Sequence, residues 1–237
     1  MSEKGGKNSL FVLDKNVKLY ISCVGYTGEK EVQKIVGYHG TKAKNVDSIL
    51  KNGFIIAPSK TGDNHWLGHG IYFYSDYELA NWWARTKVKK QNIKYGNNDT
   101  ATVLRATIEA DNVLDLDNPF VLKQFAEYQK ELEEQFVAQG VLLDFSKGKG
   151  KVNERVRCFW MDAVKLAHNI QVIIYTFARN NPSYIDSKYH MHFKEDHLLL
   201  SMGLAYHEKQ ICVTENSFIV DINSVDDYVD DYNEVII

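Results

Sequence analysis

The chain has 237 residues, of which 44% are hydrophobic, and this is enough to build one sizeable core. The formal net charge is -3 and the pI is near 6.2, so no overall basic field exists that would gather nucleic acid, although local basic patches remain open. No apolar run approaches the roughly 20 residues that a membrane helix needs.

The cysteines and the start of the chain bear on the compartment. Cys23, Cys158 and Cys212 are odd in number and lack CxxC spacing, which argues against a disulfide framework and a zinc site. The first residues lack the apolar segment of a secretory signal. We therefore expect a soluble cytoplasmic protein.

The first part of the chain alternates short strand and helix patterns, with Gly53 after the first helix as its stop signal. In chain order, the predicted elements are a polar, disordered start at residues 1–8, two short strands within residues 10–26, a strand at residues 34–38 ending at His39, an amphipathic helix at residues 42–52, a strand at residues 67–74, and a helix capped by Ser75 or Asp76 and running to about residue 88.

The remainder reads as strands interrupted by a strongly helical region. In chain order, we predict two central strands at residues 101–108 and 113–116, a helix at residues 119–140, an exposed loop or mobile arm at residues 146–157, a helix at residues 158–168, a buried strand at residues 172–177, an irregular segment at residues 179–197, two strands at residues 210–214 and 218–220, and an acidic tail at residues 224–237. No repeat or long linker divides the chain, so we predict one domain over residues 1–237, with a helical insertion at residues 119–170.

Two short motifs are separated by a stretch of sequence, residues 42–67, that is long enough for one helix and a loop. They are His39-Gly40-Thr41 and Gly68-His69-Gly70-Ile71-Tyr72-Phe73, separated by the amphipathic helix and its stop at Asn52-Gly53-Phe54. Each motif alone is common in globular chains. Together they resemble the NAD-binding core of the ADP-ribosyltransferases, in the branch shared by diphtheria toxin and the poly(ADP-ribose) polymerases. In that branch a histidine, a tyrosine and a glutamate lie on three separate strands.

The resemblance implies a fold and a set of roles. The fold is α+β, with two packed, mainly antiparallel sheets that form an NAD cleft between flanking helices. By the same resemblance, His39 binds the adenine-side ribose, the Gly40 backbone binds the nicotinamide carboxamide, and Thr41 assists through its hydroxyl. Tyr72 stacks on the nicotinamide ring, and a second stacking aromatic falls at Trp82 if a one-residue gap is allowed.

The third catalytic position departs from the family. Aligning the strand in HEKQICV, residues 207–213, places Gln210 where the family has its glutamate. Residues i and i+2 of a strand face the same way, so Glu208 and Gln210 together are our preferred assignment. Glu215, at the far end of that strand, and Glu234, in the C-terminal segment, are less suitable substitutes.

Two further patterns have weaker functional interpretations. His190, His192 and His197 allow a metal site, but a polar loop is the better interpretation because no HExxH or cysteine partner occurs, and we expect no metal. Lysine-rich segments at residues 86–96 and 146–157 are compatible with a phosphate-binding rim, although most such runs are simply solvated.

The leading hypothesis is a mono-ADP-ribosyltransferase that uses NAD+ as substrate and modifies a macromolecular acceptor, either protein or RNA/DNA. By analogy, small transferases of this type are toxins or effectors with an antitoxin partner, and no membrane partner is expected. The alternatives are an NAD+ glycohydrolase and a non-catalytic module that binds NAD+ or ADP-ribose.

Overall fold

The computed structural model describes residues 31–58, 62–141, 143–179 and 206–225. Several predictions concern residues outside these ranges: the disordered start and the two strands within residues 1–26, the three histidines His190, His192 and His197, and Glu234 in the acidic tail. Among the described helices, none is both long and apolar enough to cross a bilayer.

The described residues form seven strands and four helices. The strands are β1 (Gln33–Lys42), β2 (Ile71–Tyr74), β3 (Ala101–Ala110), β4 (Val113–Asp115), β5 (Val172–Arg179), β6 (Tyr206–Val213) and β7 (Ile219–Ser224). The helices are α1 (Val46–Asn52), α2 (Tyr77–Tyr95), α3 (Pro119–Ala138) and α4 (Val152–His168), and short 3-10 helices occur at Ala43–Asn45 and Asn216–Phe218. The fold is therefore α+β, as predicted.

All seven strands belong to one sheet, in the order β4-β5-β6-β2-β1-β3-β7. Only the β4–β5 pair is parallel. The family resemblance implies two packed sheets, but the described strands form a single one, because β1 and β2 pair at one register, Tyr38 with Tyr74, and so join the two halves. The pairing between β2 and β1, near the middle of the sheet, is therefore the shortest in it, with one pair of residues.

The sequence predicts that β3 and β4 are both central strands, and the structure confirms this for β3 alone. β3 lies between β1 and β7, with pairing to β1 that runs from Gln33–Ala110 to Lys42–Ala101, so this strand is internal as predicted. The sequence also predicts a central position for β4, but β4 lies at the edge of the sheet. Leu114 of β4 and Leu116 just after it share a core cluster with α3 and α4, whereas Val113 is buried in a second cluster with residues of β3, β5 and β6.

Helix ends follow local capping signals. The N–H of Gly53, at φ 76°, donates to the Ile49 carbonyl at 2.8 Å and so ends α1. The Asp76 carboxylate accepts from the Leu79 N–H at 2.9 Å and starts α2. This helix continues past residue 88 to Tyr95 and ends at Gly96, so it is longer than predicted.

The stretch predicted as a loop or mobile arm, residues 146–157, is organised by one buried arginine. Arg155 is 5% exposed and donates to the carbonyl oxygens of Phe145, Lys149 and Gly150 at 2.9, 3.2 and 2.6 Å. The second half of the stretch is the first part of α4. Its glycines and lysines thus form an ordered loop next to Gly62, whose carbonyl accepts from the Lys149 N–H.

Candidate functional site

A cavity of about 640 Å³ lies between α1, α2 and strands β1, β2 and β6. Five of the seven predicted site residues line it: His39, Gly40, Tyr72, Glu208 and Gln210. Residues from three distant parts of the sequence therefore meet in one place, which we call the central cavity.

The ring of His39, a residue of β1, is held in the cavity wall by one hydrogen bond and two ring contacts. Its Nδ1 lies 2.8 Å from the carbonyl oxygen of Tyr72, which can only accept, so Nδ1 carries the proton and Nε2 is the acceptor. The ring meets Phe54 and Phe73 edge-on, with centroids 4.8 and 5.8 Å away. Burial lowers the pKa of His39, so the ring is neutral near pH 7.

This lowered pKa predicts a pH-dependent stability. Below about pH 6.5 the unfolded chain binds a proton that the buried His39 resists, so the free energy of unfolding should fall as pH drops through that window. His39→Asn keeps a side-chain donor but cannot titrate. Urea unfolding at about pH 7.5 and pH 5 should therefore show a smaller decrease in the variant.

Partial desolvation also lowers the pKa values of His65 and His168, which acts in the same direction, so some decrease in the free energy of unfolding should persist in His39→Asn. An identical pH dependence in wild type and variant would contradict the neutral assignment of His39.

Gly40 is required by packing as well as by any ligand. A Cβ here would lie 2.7 Å from the Ala84 Cβ and would overlap the Ala80 carbonyl oxygen, both on α2. The absence of a side chain therefore lets α2 lie directly against β1. The family resemblance gives only the main-chain contact to the carboxamide as the reason for this glycine.

Thr41 does not line the central cavity. Its hydroxyl accepts from the Asn45 side-chain amide at 3.3 Å, and Asn45 itself does line the cavity. Thr41 therefore reaches the cavity only through Asn45. Its contact with the carboxamide, which the family resemblance implies, stays a prediction.

The Tyr72 ring is fixed through its hydroxyl. The hydroxyl donates to the Gly68 carbonyl at 2.5 Å and accepts from the Leu67 N–H at 2.7 Å. Burial raises the pKa of Tyr72 well above its ordinary value, so the side chain remains a phenol. The turn before β2 and the ring that follows it are therefore held as one unit.

On α2 the cavity-lining tryptophan is Trp83, and Trp82 is not among the lining residues. Successive residues of a helix are turned by about 100° from each other, so the side chain of Trp82 leaves the helix in a different direction from that of Trp83. Lys87, one turn after Trp83, also lines the cavity, with its Nζ 4.2 Å from the Trp83 ring centroid. The sequence interpretation missed Lys87, although its i, i+4 spacing from Trp83 is a usable signal.

Glu208 and Gln210 lie side by side on β6. The Gln210 Nε2 donates to the Glu208 Oε1 at 2.6 Å, and the two residues are 2% and 7% exposed. Gln210 is paired with Tyr74 of β2, which brings β6 next to the strand of Tyr72. Glu215 is exposed beyond the end of β6 and does not line the cavity. The i, i+2 relation thus places one carboxylate in the cavity, oriented by an amide.

A charged cluster supports the turn before β2. The Asp162 carboxylate accepts from the His69 main-chain N–H at 2.7 Å and lies 2.5 Å from the His69 Nδ1. Lys165 donates to the His69 carbonyl at 2.6 Å. On the other side of the ring, Asp63 Oδ2 lies 3.0 Å from the His69 Nε2. Two residues of α4 therefore hold the turn to which the Tyr72 hydroxyl is bound.

Two comparisons with known proteins bear on the family of the chain. The sequence model described as the poly(ADP-ribose) polymerase catalytic domain matches residues 18–136, which is half of the chain. An uncharacterised protein of Methanocaldococcus jannaschii is 47% identical over 55 residues. That match covers 23% of this chain and 25% of the archaeal protein, so it spans about a quarter of its relative. On the family match, the chain belongs to the poly(ADP-ribose) polymerase catalytic domain family, whose chemistry is the transfer of ADP-ribose from NAD+.

Proposed function

We propose that the protein is a mono-ADP-ribosyltransferase that moves ADP-ribose from NAD+ to a macromolecular acceptor and releases nicotinamide. The observation that carries the proposal is the buried Glu208 carboxylate, oriented by Gln210, in the same cavity as His39 and Tyr72. A carboxylate, a neutral imidazole and an aromatic ring on three strands are the groups that the family resemblance requires.

The aromatic residues of the cavity suit a cationic ring. Tyr72 and Trp83 both line it, and each face of a pyridinium that stacks on an aromatic ring gains about 0.5 to 2 kcal/mol. The neutral His39 offers Nε2 as an acceptor for a ribose hydroxyl. Lys87 adds a positive charge for the diphosphate of the dinucleotide, although burial lowers its pKa.

Glu208 supplies the electrostatic step. As the glycosidic bond to nicotinamide breaks, positive charge develops on the ribose, and a fixed carboxylate stabilises that charge. The Gln210 amide can only donate to Glu208 through its nitrogen, so it holds the carboxylate without competing for the charge. Because chain elongation in the family relies on the glutamate that Gln210 replaces, we infer transfer of a single ADP-ribose unit.

The cellular role follows by analogy alone. Small transferases of this family type act as toxins or effectors in the cytoplasm and are neutralised by partner proteins, and we propose the same setting here. The acceptor is a protein or a nucleic acid.

Nicotinamide release from labelled NAD+ tests the proposal. Purified protein, with and without cell extract, should release nicotinamide and transfer label to material that either nuclease or protease removes. Label recovered only as free ADP-ribose would assign the protein as an NAD+ glycohydrolase. No release at any protein concentration would leave a non-catalytic NAD+ or ADP-ribose binding module.

The two tryptophans of α2 give a matched pair of variants. Trp83→Ala should weaken NAD+ binding about 2- to 30-fold, because one aromatic face of the cavity is lost. Trp82→Ala should leave the affinity close to wild type. Isothermal titration of NAD+ into each variant measures the difference, and a larger loss in Trp82→Ala would restore the one-residue gap of the sequence alignment.

A further inference from the structure

A group of metal-ligand side chains lies beside the central cavity. One donor atom each from Asp63, His65 and His69 lie within 4.8 Å of one another, and the His65 and His69 ring centroids are 4.6 Å apart. His65 also lines the cavity. The three residues fall within a seven-residue stretch, residues 63–69, which no part of the proposed reaction uses directly.

We propose that Asp63, His65 and His69 bind a divalent transition-metal ion at the rim of the central cavity. Two imidazoles and one carboxylate form a ligand set that such ions accept, with further coordination positions left for water or a substrate oxygen. In this arrangement Asp162 is not a ligand but holds the His69 ring from behind.

The geometry of His69 supports this assignment. With an ion bound, Nδ1 would donate to Asp162, and Nε2, which lies 3.0 Å from the Asp63 Oδ2, would carry the lone pair that coordinates the ion. Two ligand atoms about 2.1 Å from one ion are separated by about 3.0 Å when the angle at the ion is 90° and by about 3.4 Å at the tetrahedral angle, so this pair is close to the spacing that a shared ion needs. A carboxylate that orients a ligating histidine through its other nitrogen is a regular feature of metal sites.

A second group of donors, His69, Cys158 and Asp162, overlaps with the first at His69. It is the weaker assignment, because the Asp162 oxygens already bind the His69 main-chain N–H and ring and lie 3.6 Å from the Lys165 Nζ. The Asp63 carboxylate has fewer such partners: the His69 ring and, at 3.9 Å, the exposed Lys149.

The competing arrangement has no metal. In it, His69 donates through both ring nitrogens, to Asp63 on one side and to Asp162 on the other, and no ion is needed. The two arrangements make opposite predictions for Zn²⁺ binding, because an ion can reach Nε2 only if the contact between this nitrogen and Asp63 is given up.

Zn²⁺ titration of the full chain, after chelator treatment and without NAD+, tests the proposal. Isothermal calorimetry should show one saturable ion per chain, and thermal unfolding should shift upward with Zn²⁺ concentration. His65→Gln should weaken this binding at least tenfold, and Asp162→Asn about 10- to 100-fold through the loss of ring orientation. Because NAD+ is absent, the result does not depend on the proposed transferase activity.

His207→Gln is the matched control, since His207 is an exposed histidine of β6 whose loss should leave Zn²⁺ affinity unchanged. Circular dichroism identifies any variant that fails to fold, and His65→Gln, at an exposed position, is the variant least disturbing to the turn. Absence of saturable binding to the wild type would overturn the proposal. Binding that is undiminished in both His65→Gln and Asp63→Asn would do so as well, because the ion would then lie elsewhere.

Discussion

Glu208→Gln is expected to lower the rate of nicotinamide release about 100- to 1,000-fold, with a much smaller change in NAD+ affinity. The substitution keeps the size of the side chain and an oxygen that accepts from Gln210, so the fold of β6 should be unchanged. What it removes is the negative charge in the cavity, and that charge acts mainly when the ribose becomes positive. Single-turnover release of nicotinamide and equilibrium binding of NAD+ separate the two effects.

Glu215→Gln is the control for Glu208→Gln. It removes a carboxylate just after the same strand, but from an exposed position outside the cavity, so turnover should stay at the wild-type level. If Glu208→Gln kept full turnover, Glu208 would not be the third catalytic group. Loss of activity in Glu215→Gln instead would assign that role to Glu215.

Much of the fold is predictable because it depends on local patterns. The alternating residues of β3 and the apolar run of β5 predict strands, and Asp76 and Gly53 mark helix ends through their own backbone chemistry. The continuation of α2 from residue 88 to Tyr95 is not visible in the same way, because its last residues are mostly exposed and carry no apolar period. The join between β1 and β2 depends on one pair of residues, so no sequence pattern distinguishes one sheet from two.

For α3, the spacing of apolar residues predicts that a helix forms more accurately than it predicts which residues are buried. The helical spacing in this segment predicts one apolar face made of Leu122, Phe125, Tyr128, Leu132 and Phe136. In the structure Leu122 is 41% exposed, and Val121 is buried in its place. Phe125, Tyr128 and Leu132 are buried as the stripe predicts. Near a helix end, packing against α4 and the sheet decides which of two adjacent apolar residues turns inward.

Some residues of the candidate site can be identified from the sequence and others cannot. His39, Gly40 and Tyr72 are found by short motifs within single strands, and the Glu208–Gln210 pair follows from strand geometry. Trp82 is assigned instead of Trp83 because a one-residue error in helix phase moves a side chain by about 100°.

The charged cluster behind the site could not be predicted at all. His69 and Asp162 are 93 residues apart in the sequence, and only the packing of α4 against the turn before β2 brings them together. The same holds for Lys165 and its bond to the His69 carbonyl. Without an observed long-range contact, His69 reads only as the middle residue of a glycine-rich strand entry.

Gly40→Ala is expected to have the second large effect, because the added methyl group meets α2 rather than open space. The new Cβ would lie 2.7 Å from the Ala84 Cβ and would overlap the Ala80 carbonyl oxygen, and a helix backbone cannot move by itself. Overpacking of this kind costs about 1 to 3 kcal/mol, measurable by urea unfolding. Since α2 also carries Trp83 and Lys87, any shift of the helix should weaken NAD+ binding as well.

The neighbouring Thr41→Ala provides the comparison, because it removes only a hydroxyl that accepts one 3.3 Å bond from Asn45, and stability should change by less than about 0.5 kcal/mol. Ala84→Gly added to Gly40→Ala relieves one of the two overlaps and leaves the Ala80 carbonyl, so recovery should be partial. Full recovery would mean that the helix backbone yields easily. Unchanged stability and NAD+ affinity in Gly40→Ala alone would show that α2 is not held against β1, and the positions of Trp83 and Lys87 in the cavity would then lose their structural basis.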